Sequence, residues 1–483
     1  MNNKQLNQME SSAMSSSWVV EIERYISGDA GGGMPGAMPQ ESKPRHSIYR
    51  VPEYIKNMTN PNAYRPQVVS LGPFHHGDPA LLTMEKHKCR AVASLVKRSG
   101  KPLEEFIAAV EEIKVQLQDA YENLEDKWYQ GTRFVEMMLK DGCFLLEMAR
   151  VFEQNGRVED YEPDDPVFSE HGNLYLIHYI GSDVVLMENQ LPLLLLQKFM
   201  RTVYPDDFQP VNSYKIALWL NAPSVDMCYL NYLQIFDRAA KKNFSKKAIC
   251  FFCFFLRLYL LSNKLINTPV NDNLGLHPLD ALQKSMIGIR RHRQRPNTLY
   301  SMPCAAELHE AGIHFKLSAA NGFGGGVTFE GGVLNIPMIL FDDGAECIFL
   351  NLMAFERLHP GAGNDVTAFV FFMDLLIDTA NDVALLRSKD IIKNYLGSDK
   401  AVADLINKTL AKDAVISENS SIIDVLTDVN TYYKKPLNKL RASFIHTYFS
   451  NPWVFFSLVA AVILLVATVM QTVYTIVPFY KNK

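Results

Sequence analysis

Two adjacent imidazoles, His75 and His76, follow Gly72-Pro73-Phe74 and precede Gly77. Imidazole titrates near neutral pH, so such a pair can move protons or ligate a metal. No carboxylate stands at a local spacing to orient either ring, and loop hydrogen bonding is the plainer role. Two distant carboxylates, Glu85 and Glu188, complete the set from which a folded chain could build an acid–base site. Glu188-Asn189-Gln190 precedes Pro192 and a Leu-rich run. That order predicts a helix beginning near Leu191, capped by Asn189 or Gln190, with Glu188 near its positive end.

The remaining motifs are weaker. His309-Glu310-x-x-x-His314 misses the metalloprotease spacing by one residue. Five positions apart, two helical residues point about 140° away from each other. Cys250-x-x-Cys253 has no second pair at zinc-ligand spacing, and its Phe neighbours would raise the thiol pKa. Gly322 to Gly326 lacks the Lys-Ser/Thr of a phosphate loop. Arg290 to Arg295 is a local basic run of the kind that meets RNA, a nuclear importer or anionic lipid, with a solvated loop as the default reading. No nucleophile elbow, kinase set or calcium loop is present. These motifs assign no catalytic residue, no cofactor and no metal.

The elements that would position these residues belong to a globular chain. Of 483 residues, 48% are apolar and 21% charged, with a net charge of −4. No global basic field favours nucleic acid. Seven scattered cysteines do not make a secreted disulfide framework, which points to a reducing compartment. The N-terminus has no apolar stretch of signal-peptide length. Residues 1–46, with Gly/Pro-rich Gly28–Pro44, read as a linker before a body over 47–448.

Within that body, SIYRVPEYI and QVVSLGP are β-rich runs, and helices are expected over Asp78–Arg98, Lys101–Tyr129 and Phe134–Phe152. In the second, Phe106, Val110, Ile113, Leu117, Tyr121, Leu124 and Trp128 recur at three- and four-residue steps and share one face. Ala248–Leu261 is apolar but short, and Arg257 interrupts it, so it reads as a buried helix. Ile313–Leu317 and Val327–Glu330 are strand candidates, and Gly331–Leu350 reads as two strands about the turn Asp342-Asp343-Gly344. Helices return after Asp365, and one over Asp424–Tyr448 leads toward the C-terminus. The fold class is α+β, predominantly α-helical, with a small β component.

The strongest signal lies at the end of the chain. Val454 to Met470 carries no charge, and extension to Ile476 gives a helix of about 34 Å, enough for a hydrocarbon core. Trp453 and Tyr474 sit where aromatic rings suit an interface. Residues 452–476 are therefore expected to span a bilayer, with 477–483 as a short tail. Lys434, Lys435, Lys439 and Arg441 before the span outnumber Lys481 and Lys483 after it, placing the body on the cytosolic side. Four Asn-x-Ser/Thr triplets, at Asn57, Asn243, Asn407 and Asn419, carry little weight.

Several segments together resemble one family. They are IYRVPEYI (48–55), YRPQVVSLGPFHHG (64–77), MEKHKCR (84–90), MLKDGCFLLEM (138–148), DVVLMENQLPLLLLQKF (183–199), ELHEAGIHFK (307–316), LNIPMILFDDGAECIFLNLMAFE (334–356), FMDLLIDTANDVALLRSKDIIKNYLGSD (372–399) and NPWVFFSLVAAVILLVATVMQTVY (451–474). In this order they resemble the plant family known as domain of unknown function 247. Segment 200–300 matches more loosely, and Asp390 stands where the family leads one to expect Gly. The resemblance implies a membrane protein with a C-terminal anchor and brings no reaction or catalytic residue. Some grass members are implicated in self-incompatibility, which fits recognition. The leading expectation is a tethered interaction, recognition or signalling protein with the lipid bilayer and another protein as partners. The alternative is an enzyme whose site gathers His75, His76, Glu85 and Glu188.

Overall fold

The structure is a computed structural model. It describes residues 46–154, 156, 158–203, 276–286, 301–318, 326–417, 420–436, 438, 440–441 and 452–481. The expected linker (save His46), the 248–261 helix, Cys250, Cys253, Arg290–Arg295 and most of the Gly322–Gly326 run lie outside these residues.

The described chain is mainly helical, as its periodicity predicts. The first half gives α1 (Glu53–Met58), α2 (Glu85–Ser99), α3 (Leu103–Asp119), α4 (Arg133–Glu153), α5 (Glu170–Tyr175), α6 (Ile177–Val184) and α7 (Leu193–Val203). Helix α4 packs against α2, α3 and α7, and α3 also packs on α7. All seven residues of the predicted α3 face are buried. Burying aromatic rings such as Phe106, Phe134, Phe144 and Phe199 contributes about 2–3 kcal/mol each.

The second half gives α8 (Pro278–Met286), α9 (Ala305–Glu310), β1 (His314–Leu317), β2 (Thr328–Glu330), β3 (Val333–Ile336) and β4 (Ile339–Phe341). There follow α10 (Ala345–Leu358), α11 (Asp365–Leu376), α12 (Ala380–Ser388), β5 (Ile392–Asn394), α13 (Asp399–Leu405), which passes into a π-helical turn, and α14 (Ser421–Tyr433). Strand β3 lies between β1, to which it is parallel, and β2, to which it is antiparallel. Strands β4 and β5 form a separate parallel pair. The small β component is thus two short sheets on a helical body.

Three local expectations are corrected. The β-rich runs near the start are not strands: Glu53–Met58 is helical, and the only β pairing there is one bridge between Ile48 and Tyr121. Helix α3 stops at Asp119, and Asn123 turns the chain at φ 52°, yet Tyr121, Leu124 and Trp128 still bury. Asp342-Asp343-Gly344 does not join two strands. Asp342 Oδ1 accepts the Gly344 N–H at 2.9 Å, and α10 begins at the next residue.

The last helix, α15 (Pro452–Lys481), continues past the expected end at 476. Its Trp453–Tyr474 stretch has a mean hydropathy of 2.6, and no part of the apolar window is buried by protein. Length and composition suffice to cross a membrane.

Candidate functional site

The segment 67–72 enters the interior without a strand partner: Gln67 is exposed, Val68 half-buried, and residues 69–72 are buried. Their backbone donors must still be satisfied, because a buried orphan N–H is costly. Side chains from α4, α6 and the α6–α7 connection accept from these donors, and one from α2 donates to a carbonyl. Asp183 Oδ1 accepts the N–H of Gln67 at 2.8 Å, and its Oδ2 accepts those of Val68 and Val69 at 2.8 and 2.9 Å. Asn189 Oδ1 accepts from Leu71 N at 2.7 Å, while its Nδ2 donates to Val69 O and Asp183 O. Asp141 Oδ2 accepts from Gly72 N at 2.8 Å, and Lys88 Nζ donates to Ser70 O at 2.6 Å. Gly72 has φ 71°, and a Cβ there would stand 2.8 Å from the Tyr121 hydroxyl and 2.9 Å from Gln190 O. Only glycine fits both constraints.

Two charged clusters flank this segment. In one, fully buried Lys88 lies 2.6 Å from Asp141 Oδ1 and 2.6 Å from Glu85 Oε1. Burial pulls the Lys88 pKa down, but the two carboxylates outweigh it and hold the ammonium charged. In the other, Glu188 accepts the Val51 N–H at 2.7 Å and lies 2.8 Å from Lys56 Nζ and 3.3 Å from His75 Nε2. Burial raises the Glu188 pKa; bonds from His75 and Lys56 and the Val51 amide overcome that and set it below the usual carboxylate value. A carboxylate so occupied is a weak proton acceptor.

The structure therefore brings together His75 and Glu188 among the four suspects. Glu85 belongs to the Lys88 cluster, and His76 lies edge-on to Trp128 with ring centroids 5.3 Å apart. The capping expectation is also corrected. Asn189 serves the 67–72 segment, and Gln190 Oε1 accepts from Leu279 N at 2.9 Å, so Gln190 caps α8 rather than the helix that follows it in sequence. Gln190 Nε2 donates to Val184 O and Leu186 O. Glu188 faces Val51, Lys56 and His75.

Sequence reasoning passed over Lys88, Asp141, Asp183 and Glu356. Glu356 accepts from Val366 N and Thr367 N, both at 2.9 Å, and so caps α11. Only Asp141 carries a local signal, a charged residue inside the apolar run MLKDGCFLLEM; Lys88 sits in the polar run MEKHKCR.

The other motifs do not converge. His309 lies in the last turn of α9 and His314 begins β1, with Gly312 turning between them. Among the described residues, no group of three or more His, Cys, Asp or Glu could hold a metal ion. Cys89, Cys143, Cys304 and Cys347 are free thiols. Burial pushes the Cys347 thiol up to about 12 and Cys304 up to about 11, which suppresses thiolate chemistry at both.

The DUF247 family profile, described as a plant protein of unknown function, matches residues 48–467. UPF0481 protein At3g47200 of Arabidopsis thaliana is 29% identical over 458 residues, covering 90% of this chain and 87% of the relative. Putative UPF0481 protein At3g02645, also of Arabidopsis thaliana, is 21% identical over 488 residues, covering 88% of this chain and 89% of the relative. No solved structure gives a significant match. A match of this extent makes the chain a member of the DUF247 family of plant proteins of unknown function.

Proposed function

We propose that this protein is a membrane-tethered interaction protein, acting in recognition or signalling, with its helical body on the cytosolic side. The observation that carries this is the Trp453–Tyr474 helix: 22 residues, or about 33 Å, with none of its apolar window buried against the body. Water would oppose exposing so much apolar surface; lipid would not. Trp453 and Tyr474 are 81% and 77% exposed at its two ends, as interface anchors would be. The four basic residues before the span supply the orientation. The interior polar clusters support a binding role over chemistry, because their acceptors are taken by backbone amides and fixed cations.

The enzyme reading stands second, on the 3.3 Å approach of His75 to Glu188. It requires Glu188 to release Val51 or Lys56 when a substrate binds.

Alkaline carbonate extraction and proximity labelling of the full chain, tagged at each end, test the proposal. Retention in the membrane pellet and labelling of cytosolic proteins by the N-terminal tag are expected. Release without detergent would remove the anchor, and labelling confined to lumenal or extracellular proteins would reverse the orientation.

A further inference from the structure

Helix α14 ends where the chain departs toward the span, and its last turn is fixed on the body. The Tyr432 ring meets Phe329 edge-on at 5.5 Å, and Lys435 Nζ lies 5.0 Å above the Tyr432 ring. Arg441 lies over Gly312, in the turn between α9 and β1. A Cβ at Gly312 would stand 2.5 Å from Arg441 Nη1, and the φ of 91° excludes other residues without strain. The departing chain is thus packed against that turn.

Basic groups collect there. His309, His314, Lys389, Lys434, Lys435 and Arg441 are all exposed. They come from α9, β1, the end of α12 and the segment after α14. Burial lowers the His309 pKa, and the charges of Lys389, His314 and Arg441 lower it further, so those three share one field with His309. Glu307 and Glu310 are the carboxylates of α9. Glu310 opposes the effect on His309 but does not reverse it.

Ten residues, 442–451, separate Arg441 from α15. Eleven peptide steps reach at most about 40 Å, so a bilayer holding α15 must lie within that distance of the basic face. The tether lets the cations of this face reach anionic headgroups, whose attraction acts within a Debye length of about 8–10 Å. We propose that this face, formed by the α9–β1 turn, the end of α12 and the segment after α14, docks onto the anionic lipid headgroups of the bilayer that holds α15. The proposal rests on the membrane reading of α15. Docking would fix which side of the body faces away and remains open to a protein partner.

The test uses the full chain in lipid nanodiscs of phosphatidylcholine alone, or with roughly a third phosphatidylserine, followed by amide hydrogen exchange. Exchange over residues 307–316 should slow about ten-fold in the anionic discs and recover at about 0.5 M salt. The double variant K389E/K434E should lose the slowing while its exchange elsewhere stays unchanged; Lys435 and Arg441 are kept because they pack on Tyr432 and Gly312. Equal exchange in both discs, or slowing that survives the double variant, overturns the docking alone. Failure to enter either disc overturns the membrane reading as well.

Discussion

Lys88 Nζ and Asp141 Oδ1 stand 2.6 Å apart, and neither side chain is more than 1% exposed. Removing one member of such a pair leaves an unpaired charge in the interior, which costs far more than the pair itself contributes. Lys88→Met should destabilise the body by about 3–5 kcal/mol. The double variant Lys88→Met/Asp141→Asn should recover much of that loss, because the Asn oxygen still accepts from Gly72 and no charge stays buried. Thermal unfolding of the detergent-solubilised chain measures both. A double variant no more stable than the single one would show that charge burial is not the cause.

What the sequence made legible follows from what periodicity reports. A three- and four-residue apolar repeat reports burial, so α2, α4 and the buried face of α3 were readable. The same repeat ran on through Tyr121, Leu124 and Trp128 because those side chains bury from a turn as well as from a helix. Asp342-Asp343-Gly344 is ambiguous for a related reason: Asp favours turns and helix starts by the same side-chain bond to a nearby N–H. The interior clusters were not legible. Gln190 caps a helix that begins at Pro278, and Asp183 serves amides at 67–69. No local pattern encodes a partner at such separation. The apolar C-terminal helix was the most readable feature, since its signal needs only length and uniform apolarity.

Asp390 sits in the left-handed region at φ 59°, just past the end of α12. Ile391 N donates to Leu386 O and Asp390 N to Arg387 O, the paired bonds of a Schellman ending. The position favours glycine, which accounts for the Gly expected there from the family resemblance. Asp390 also puts a negative charge at the negative end of a helix. Its contact with Lys393 is exposed and worth little. Asp390→Gly should therefore stabilise the body by about 0.5–1 kcal/mol, read as a higher melting temperature. Asp390→Val should lower it.

His277 is fully buried between Ser47 O, 2.9 Å from Nε2, and Gln190 Oε1, 3.2 Å from Nδ1. Burial lowers its pKa from 6.5 to about 4, against the pull of Asp280. The native state holds the ring neutral, whereas the unfolded chain takes a proton below 6.5. Protons therefore favour unfolding across that window. Stability from this group is intact above pH 6.5 and falls as pH drops toward 4, by about 3 kcal/mol in all. Denaturant titrations at pH 7, 6, 5 and 4 check the slope. His277→Gln should be less stable at pH 7 and lose this part of the slope; an unchanged slope would move the titration to another group.

Glu188 separates the two functional readings most directly. Its carboxylate holds Val51 N, Lys56 and His75, so it joins the start of the body to the loop that follows residues 67–72. Replacing it with Ala leaves the Val51 amide without its acceptor and Lys56 without its buried counter-charge. That should cost about 2–4 kcal/mol, with the loss visible as faster amide exchange at Val51 and across the 67–77 loop. Glu188→Gln keeps one acceptor oxygen for Val51 but loses the charge, and should cost about half as much. A carboxylate retained for chemistry behaves differently. Both substitutions would leave exchange at Val51 and the loop nearly unchanged, and the melting temperature would hold or rise once an unfavourable buried charge was gone. The order Ala, Gln, native in both stability and exchange is the outcome that a purely structural role for Glu188 requires.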